Sequence, residues 1–320
     1  VLHSSSTQNR TIVRSKNALR LTRVALQTAY VLSEDLGTSL AERLFTSPRR
    51  HRRPPRERAV LASGRSFEID VVLRAPRWHA EHRRVVAWRW GTGPVALLVH
   101  GWEGRGSQLG AFVEPLVSAG MSVVAFDAPA HGDSQGHRLY LTDLADAIVD
   151  VAAAVGPVHA VIAHSFGAAA VLLAHARGGF DAARNIMLAP NVLIDDAVRR
   201  FSTLVALDDK DRVALEQALA VHSGVDVESL ALERLVGERD AGLLVIHDRE
   251  DREVPLRHGN RLAATWPSAR IIATEGLGHR RILREPTVIA EATTFASHGV
   301  RPPASDLVRE VDRWLAGRAL

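Results

Sequence analysis

A chain of 320 residues with 46% hydrophobic content is long enough to bury one large core, and its +4 net charge is dispersed: 36 acidic residues are interspersed among 40 basic ones, and lysine occurs only at Lys16 and Lys210. That balance excludes a large basic field for nucleic acid, the lack of cysteine excludes disulfides and thiolate metal sites, and no apolar run reaches the ~20 residues of a membrane span. The 15 histidines include no His-Glu-x-x-His pair, so neither a metal nor another cofactor is expected.

Residues 1–57 read as an N-terminal extension. Val1 to Asn17 is polar and reads as disordered. It lacks the charged start, apolar middle and small-residue cleavage site of an export signal, which makes a cytoplasmic location the expectation. Ala18 to Phe45 places Leu21, Val24, Ala25, Leu32, Leu36, Leu40 and Leu44 mostly three and four apart. This spacing predicts one or two amphipathic helices, broken near Gly37 and packed onto the main domain. In Pro48-Arg49-Arg50-His51-Arg52-Arg53-Pro54-Pro55-Arg56 the prolines forbid a continuing helix, so an extended, solvated linker is expected.

The main domain opens with Phe67 to Leu73 and Arg83 to Trp90, two strands that predict an antiparallel hairpin before Gly91-Thr92-Gly93-Pro94. Val95 to His100 reads as a buried parallel strand and runs into Gly101-Trp102. Ser107 is placed to cap a helix that stops at Gly120. Met121 to Phe126 is the next strand, leading into Asp127-Ala128-Pro129-Ala130-His131-Gly132-Asp133-Ser134. A helix from Thr142 through Val155 is halted by Gly156-Pro157. Val158 to Ile162 is strand-like, Ala168 to Ala174 is helical, and Ser165 stands at the sharp junction. Asn185 to Ala189 is another strand.

From about Pro190 to Asp240 the alternation stops, and three helical faces follow: Val198, Phe201, Leu204 and Val205; then Val213, Leu215 and Leu219; then Leu230, Leu232 and Leu235. Ala241 to Ile246 returns to strand and is followed by His247-Asp248-Arg249-Glu250-Asp251-Arg252-Glu253-Val254-Pro255. Arg270 to Ala273 is the last strand, followed by Glu275-Gly276-Leu277-Gly278-His279. Asp306 to Leu315 predicts a closing amphipathic helix. Strands alternating with helices at this spacing indicate a largely parallel sheet covered on both faces.

Ala163-His164-Ser165-Phe166-Gly167, a serine between small residues at a strand-to-helix turn, resembles the nucleophile elbow of the α/β-hydrolases, with Ala163 in place of the first glycine of Gly-x-Ser-x-Gly. His100-Gly101 resembles the oxyanion loop of that family, and Asp127 to Ser134 resembles its Asp-x-Pro-Gly-His-Gly-x-Ser loop, with Ala130 replacing a glycine and an architectural role expected. The resemblance covers about residues 58 to 300. It implies an α/β-hydrolase core over 58–190 and 241–300, a helical cap over 191–240 and a C-terminal helix over 301–320.

By the same resemblance Ser165 is the expected nucleophile and His279, after the final strand, the expected base. His258 and His298 lack that context. Asp251, in Asp-x-x-Val-Pro form, is the expected acid, with Asp248 and Glu250 as alternatives. The backbone N–H groups of Trp102 and Phe166 are the expected oxyanion donors. The implied activity is that of a serine hydrolase of short to medium acyl esters, with a small-molecule ester as the partner and no nucleic acid; no oligomeric state is assigned. Thioester, amide, lactone or carbon–carbon bond hydrolysis uses the same groups, and a ligand-binding protein of low turnover is the alternative on the same fold.

Overall fold

Val95–Val99 and Ser122–Phe126 each carry five consecutive buried residues, as strands covered on both faces must. The computed structural model describes residues 4–74, 80–237 and 241–300, with residues 4–16 described by their backbone alone. Three helices come first, α1 (Ser4–Leu32), α2 (Glu34–Thr46) and α3 (Pro55–Ala62). The strands are β1 (Arg65–Leu73), β2 (Glu81–Trp90), β3 (Val95–Val99), β4 (Ser122–Phe126), β5 (Val158–His164), β6 (Arg184–Leu188), β7 (Gly242–Asp248) and β8 (Ala269–Thr274). Between and after them run α4 (Val113–Ser118), α5 (Leu141–Val155), α6 (Phe166–Ala176), α7 (Ile194–Val205), α8 (Asp209–Ser223), α9 (Leu232–Val236), α10 (Arg257–Thr265), α11 (Gly278–Arg281) and α12 (Pro286–Ala296).

The strands form one sheet in the order β1-β2-β4-β3-β5-β6-β7-β8. β1/β2 and β2/β4 pair antiparallel, and every other neighbour is parallel. The chain winds from β3 out to β4 and returns to β5 on the other side of β3. The carboxyl ends of β3 and β5 therefore flank the point where the winding reverses, the place where open α/β sheets bind ligands. One face is covered by α5, α6, α9 and α10 through Leu144, Val151, Leu172, Leu235 and Leu262. The other is covered by α4 and α12 through Leu116, Val288 and Ala292.

A third apolar cluster lies off the sheet. Leu26 of α1 and Ala41 of α2 are fully buried against Val198 and Val205 of α7 and Leu215 of α8. The extension thus packs on the helical segment after β6 as well as on the sheet-bearing domain.

Several local expectations are corrected. Within the stretch expected to be disordered, the described residues are helical: α1 starts at Ser4, and the break falls at Ser33, leaving Gly37 inside α2. Residues 4–32 contain neither Gly nor Pro, and once Leu26 and Ala29 anchor the last turns, adding residues upstream costs little beyond nucleation. Ser107 does not cap a helix. Its hydroxyl donates to Glu57 Oε2 at 2.7 Å, and the chain forms a 3₁₀ segment, Gly106–Phe112, before α4.

The arginine-rich stretch is not a solvated linker either. Arg50 donates to the carbonyls of Ala130, Gly132, Ser134 and Gly136, and Arg53 reaches Asp127 and Asp133 at 2.5 Å each. A loop whose carbonyls converge on one point needs a multidentate donor, which guanidinium supplies. The helix expected over Asp306–Leu315 lies outside the described residues.

Buried Arg105 donates to both carboxylate oxygens of buried Glu57 at 2.6 and 2.9 Å, tying α3 to the 3₁₀ segment. Arg105→Met leaves that carboxylate with one hydroxyl donor and is expected to lower the unfolding free energy by about 3–5 kcal/mol. Arg49→Met, which removes an exposed partner of Glu103, is expected to cost no more than about 1 kcal/mol. Urea denaturation of the two variants side by side checks the contrast.

Candidate active site

β5 ends at His164 and α6 begins at Phe166, so Ser165 alone turns the chain. It does so at φ 53, ψ −120, a sparsely populated conformation that costs on the order of 1–3 kcal/mol in a residue with a side chain. The surroundings hold it: Ser165 N–H donates to Leu188 O at 3.0 Å, and its carbonyl accepts from Ala168 N at 3.0 Å and Asn191 N at 3.1 Å. Close approach of neighbouring backbone explains two glycines. A Cβ on Gly167 would lie 2.5 Å from His100 O, and one on Gly101 would lie 2.9 Å from the Ser165 Cβ. Ala163 tolerates its methyl group because it lies within β5, paired with Val99 and Met187. Ala130 does occupy a glycine-like backbone, at φ 66, where Arg50 grips its carbonyl.

Three distant side chains converge at the elbow. His279 Nε2 lies 3.0 Å from Ser165 Oγ, and His279 Nδ1 lies 2.7 Å from Asp251 Oδ2. A carboxylate only accepts, so Nδ1 carries the proton and Nε2 is the acceptor facing the serine hydroxyl. Asp251 Oδ1 accepts the N–H groups of Glu253 and Val254 at 2.8 Å each. Burial alone would raise the Asp251 pKa, but hydrogen bonds from His247, His279 and Val254 outweigh it and hold the carboxyl well below the usual range.

Of the alternative acids, Asp248 accepts from Thr274 Oγ1, Leu277 N and Glu250 N, which shapes the approach to His279 without touching its ring. Glu250 is exposed. His258 sits on α10, paired with Asp196 at 2.9 Å, and His298 lies beyond α12.

Phe166 heads α6, so its N–H is one of the four amides without an intrahelical carbonyl and lies at the positive end of the helix dipole. Trp102 N–H has no acceptor among the described residues. The two side chains meet edge to face at 5.6 Å.

Sequence reasoning passed over three buried histidines around this point. His100 Nδ1–H donates to Gly101 O at 2.8 Å while its Nε2 accepts from Ala128 N; His131 Nδ1–H donates to Pro129 O at 3.0 Å while its Nε2 accepts from Glu103 N. His164 Nε2–H donates to His279 O at 3.0 Å and so steadies the backbone of the histidine that faces Ser165. Burial lowers their pKa values to about 4 for His100 and about 3 for His131 and His164, so all three are neutral near pH 7. The signal for His164 was its place in the strand next to Ser165; nothing in the pattern distinguished a tie to a distant carbonyl.

A cavity of about 430 Å³ opens beside Trp102 and Phe166. Its polar lining falls in two groups: Thr46, Tyr140 and Ser223 on the side of α2 and α8, and Asn191, Arg200 and Glu253 on the side of the elbow. Arg200 donates to Asn191 Oδ1 and to Glu253 O, and Asn191 is the residue whose N–H binds the Ser165 carbonyl. Elsewhere the lining is mostly apolar, with Ile194, Val198, Phe201 and Leu204 of α7, Leu219 of α8, and Leu44 and Phe45 of α2. Among the described residues no group of three His, Asp or Glu side chains is arranged to hold a metal ion, and no helix is long and apolar enough to cross a membrane.

A family model described as the alpha/beta hydrolase family matches residues 96–292. In structure the chain is similar to Est1E from Butyrivibrio proteoclasticus with ferulic acid bound, at 16% identity and TM-score 0.53, over 73% of this chain and 99% of that one. It is similar to a bromoperoxidase from Bacillus anthracis at 14% identity and TM-score 0.52, over 72% and 99%. It is also similar to Rv0554 from Mycobacterium tuberculosis at 16% identity and TM-score 0.58, over 73% and 100%. At these identities the likeness is one of fold. No curated protein matches the chain in sequence.

Proposed function

The chain belongs to the alpha/beta hydrolase family, and on that premise we propose that it is a serine hydrolase of carboxylic esters with short to medium acyl groups. The observation that carries the reading is the relay of 3.0 Å and 2.7 Å from Ser165 through His279 to Asp251, set beside a largely apolar cavity.

In this reading Ser165 Oγ attacks the ester carbonyl as His279 Nε2 takes its proton. The tetrahedral oxyanion is held by the N–H groups of Trp102 and Phe166, donors of a kind worth roughly 2.7–4 kcal/mol each. His279 returns the proton to the leaving alcohol, and Asp251 stabilises the imidazolium that exists between the two transfers. Water, deprotonated by the same imidazole, then attacks the acyl-enzyme, and Ser165 leaves with the returned proton. The helical segment over residues 191–237 acts as a cap, excluding water and lining the acyl site. The Ser165 hydroxyl faces His279 Nε2 at 3.0 Å from its place at the strand-to-helix turn.

Treatment with a fluorophosphonate, read by intact mass, tests the reading. One adduct on the parent chain, absent from Ser165→Ala and His279→Ala, is expected. A folded parent that takes no adduct would overturn it.

A further inference from the structure

The family match begins at residue 96, yet the cavity beside Trp102 and Phe166 is not closed by the matched region alone. Helix α2, which precedes that region, contributes Leu44, Phe45 and Thr46 to the lining. Phe45 meets Phe201 of α7 edge to face at 5.0 Å and packs in the cluster that holds Leu219. Trp102 and Phe166 instead pack against the core cluster. The cavity therefore lies between two separate apolar clusters, one of which the extension helps to build with Leu26, Ala41 and Phe45.

The end of α2 is also bolted in place. Buried Glu42 accepts from the Tyr140 hydroxyl at 3.0 Å and from His222 Nδ1 of α8 at 2.7 Å, and Leu139 N–H donates to Thr46 O at 2.8 Å. Tyr140, its pKa pushed up to about 12 by burial and the Glu42 charge, remains a protonated donor. One carboxylate thus joins extension, core and α8 at the cavity wall.

We infer that α2 is a component of the acyl-binding site, and that Leu44 and Phe45 select a medium-length acyl chain. This rests on the ester-hydrolase reading for its chemistry. Asn191, whose N–H binds the Ser165 carbonyl, and Arg200 mark the end toward the reacting serine, and the mostly apolar remainder, interrupted by Thr46, Tyr140 and Ser223, takes the hydrocarbon. A cavity in the size range of small-ligand sites with such a wall rewards each methylene until it is full, by up to about fourfold in kcat/KM. Leu44 is 39% exposed at the rim, so Leu44→Glu tests the wall without opening the core, and glutamate is a good helix former. Phe45→Ala removes the aromatic wall itself.

The test measures kcat/KM for p-nitrophenyl acetate, butyrate, octanoate and decanoate with the parent, Leu44→Glu and Phe45→Ala, beside their melting temperatures. It also measures decanoate binding by calorimetry to Ser165→Ala, alone and combined with Leu44→Glu. The parent is expected to prefer octanoate over acetate. Leu44→Glu is expected to lower the octanoate-to-acetate ratio at least tenfold, about 1.4 kcal/mol, and Phe45→Ala to move the optimum to a longer chain. Ratios within twofold of the parent in both folded variants would overturn the inference while leaving the esterase reading intact. If the parent hydrolyses no ester, binding decides. Decanoate held by Ser165→Ala and lost on adding Leu44→Glu supports the wall, and binding indifferent to Leu44 sinks it. If either substitution unfolds the chain, the other and the calorimetry carry the decision.

Discussion

Asp251→Asn is expected to lower kcat for ester hydrolysis by about ten-thousandfold, and Ser165→Ala by about a millionfold, with little change in melting temperature for the serine variant. The asparagine result follows from which oxygen is already occupied. Asp251 Oδ1 receives two backbone N–H groups, from Glu253 and Val254. The new amide must place its oxygen there, because its NH₂ cannot accept. Its NH₂ then points at His279 Nδ1, which has to become the acceptor and pass its proton to Nε2. The imidazole would present an N–H to Ser165 Oγ where an acceptor is needed. Steady-state kinetics on p-nitrophenyl butyrate measures both variants. A drop of less than tenfold for Asp251→Asn would mean that the proton on His279 is set by some group other than this carboxylate.

Acid is expected to destabilise the protein by several kcal/mol before its carboxylates titrate. His100, His131 and His164 are buried, and burial lowers their pKa values from 6.5 to about 4, 3 and 3. Below pH 6.5 the unfolded chain binds protons at these rings and the folded chain does not, so unfolding takes up protons and stability falls with pH. Their contribution is fully present above pH 6.5 and is lost as pH falls toward the folded values. At about pH 5 each ring costs roughly 2 kcal/mol, on the order of 6 for the three together, set against a typical total of about 5–15. Urea denaturation at pH 7.5 and pH 5 is expected to differ by several kcal/mol. A difference below about 1 kcal/mol would mean that the rings take up protons without leaving the fold. Since His100 and His131 tie the loops that carry Gly101 and Glu103, and His164 ties His279, activity should fall in the same pH interval as stability.

The sheet was legible because its signals are local. Short, mostly apolar runs bounded by turn residues place β3, β4 and β5 within two residues of the observed bounds. The juxtaposition of Ser165 with His279 could be anticipated only through the family resemblance, since 114 residues separate the two and no periodicity links them. Asp248 and Asp251 were harder to separate. Asp248 closes β7 and Asp251 follows it, both are buried carboxylates, and what distinguishes them is which backbone amides each side chain meets across a tight loop. The grip of Arg50 and Arg53 was missed because a run of arginines reads as solvated unless its acceptors are known. Those acceptors are carbonyls and carboxylates some 80 residues away.

The third apolar cluster also has a consequence in time. Leu26 and Ala41 are buried only once α7 and α8 exist, and the joint from Glu42 to His222 spans 180 residues of chain. During synthesis, at about 5–20 residues per second, the extension leaves the ribosome many seconds before its partner. Through that interval its apolar side is open to chaperones or to a neighbouring nascent chain, and the cavity wall it supplies cannot close until α7 and α8 have emerged.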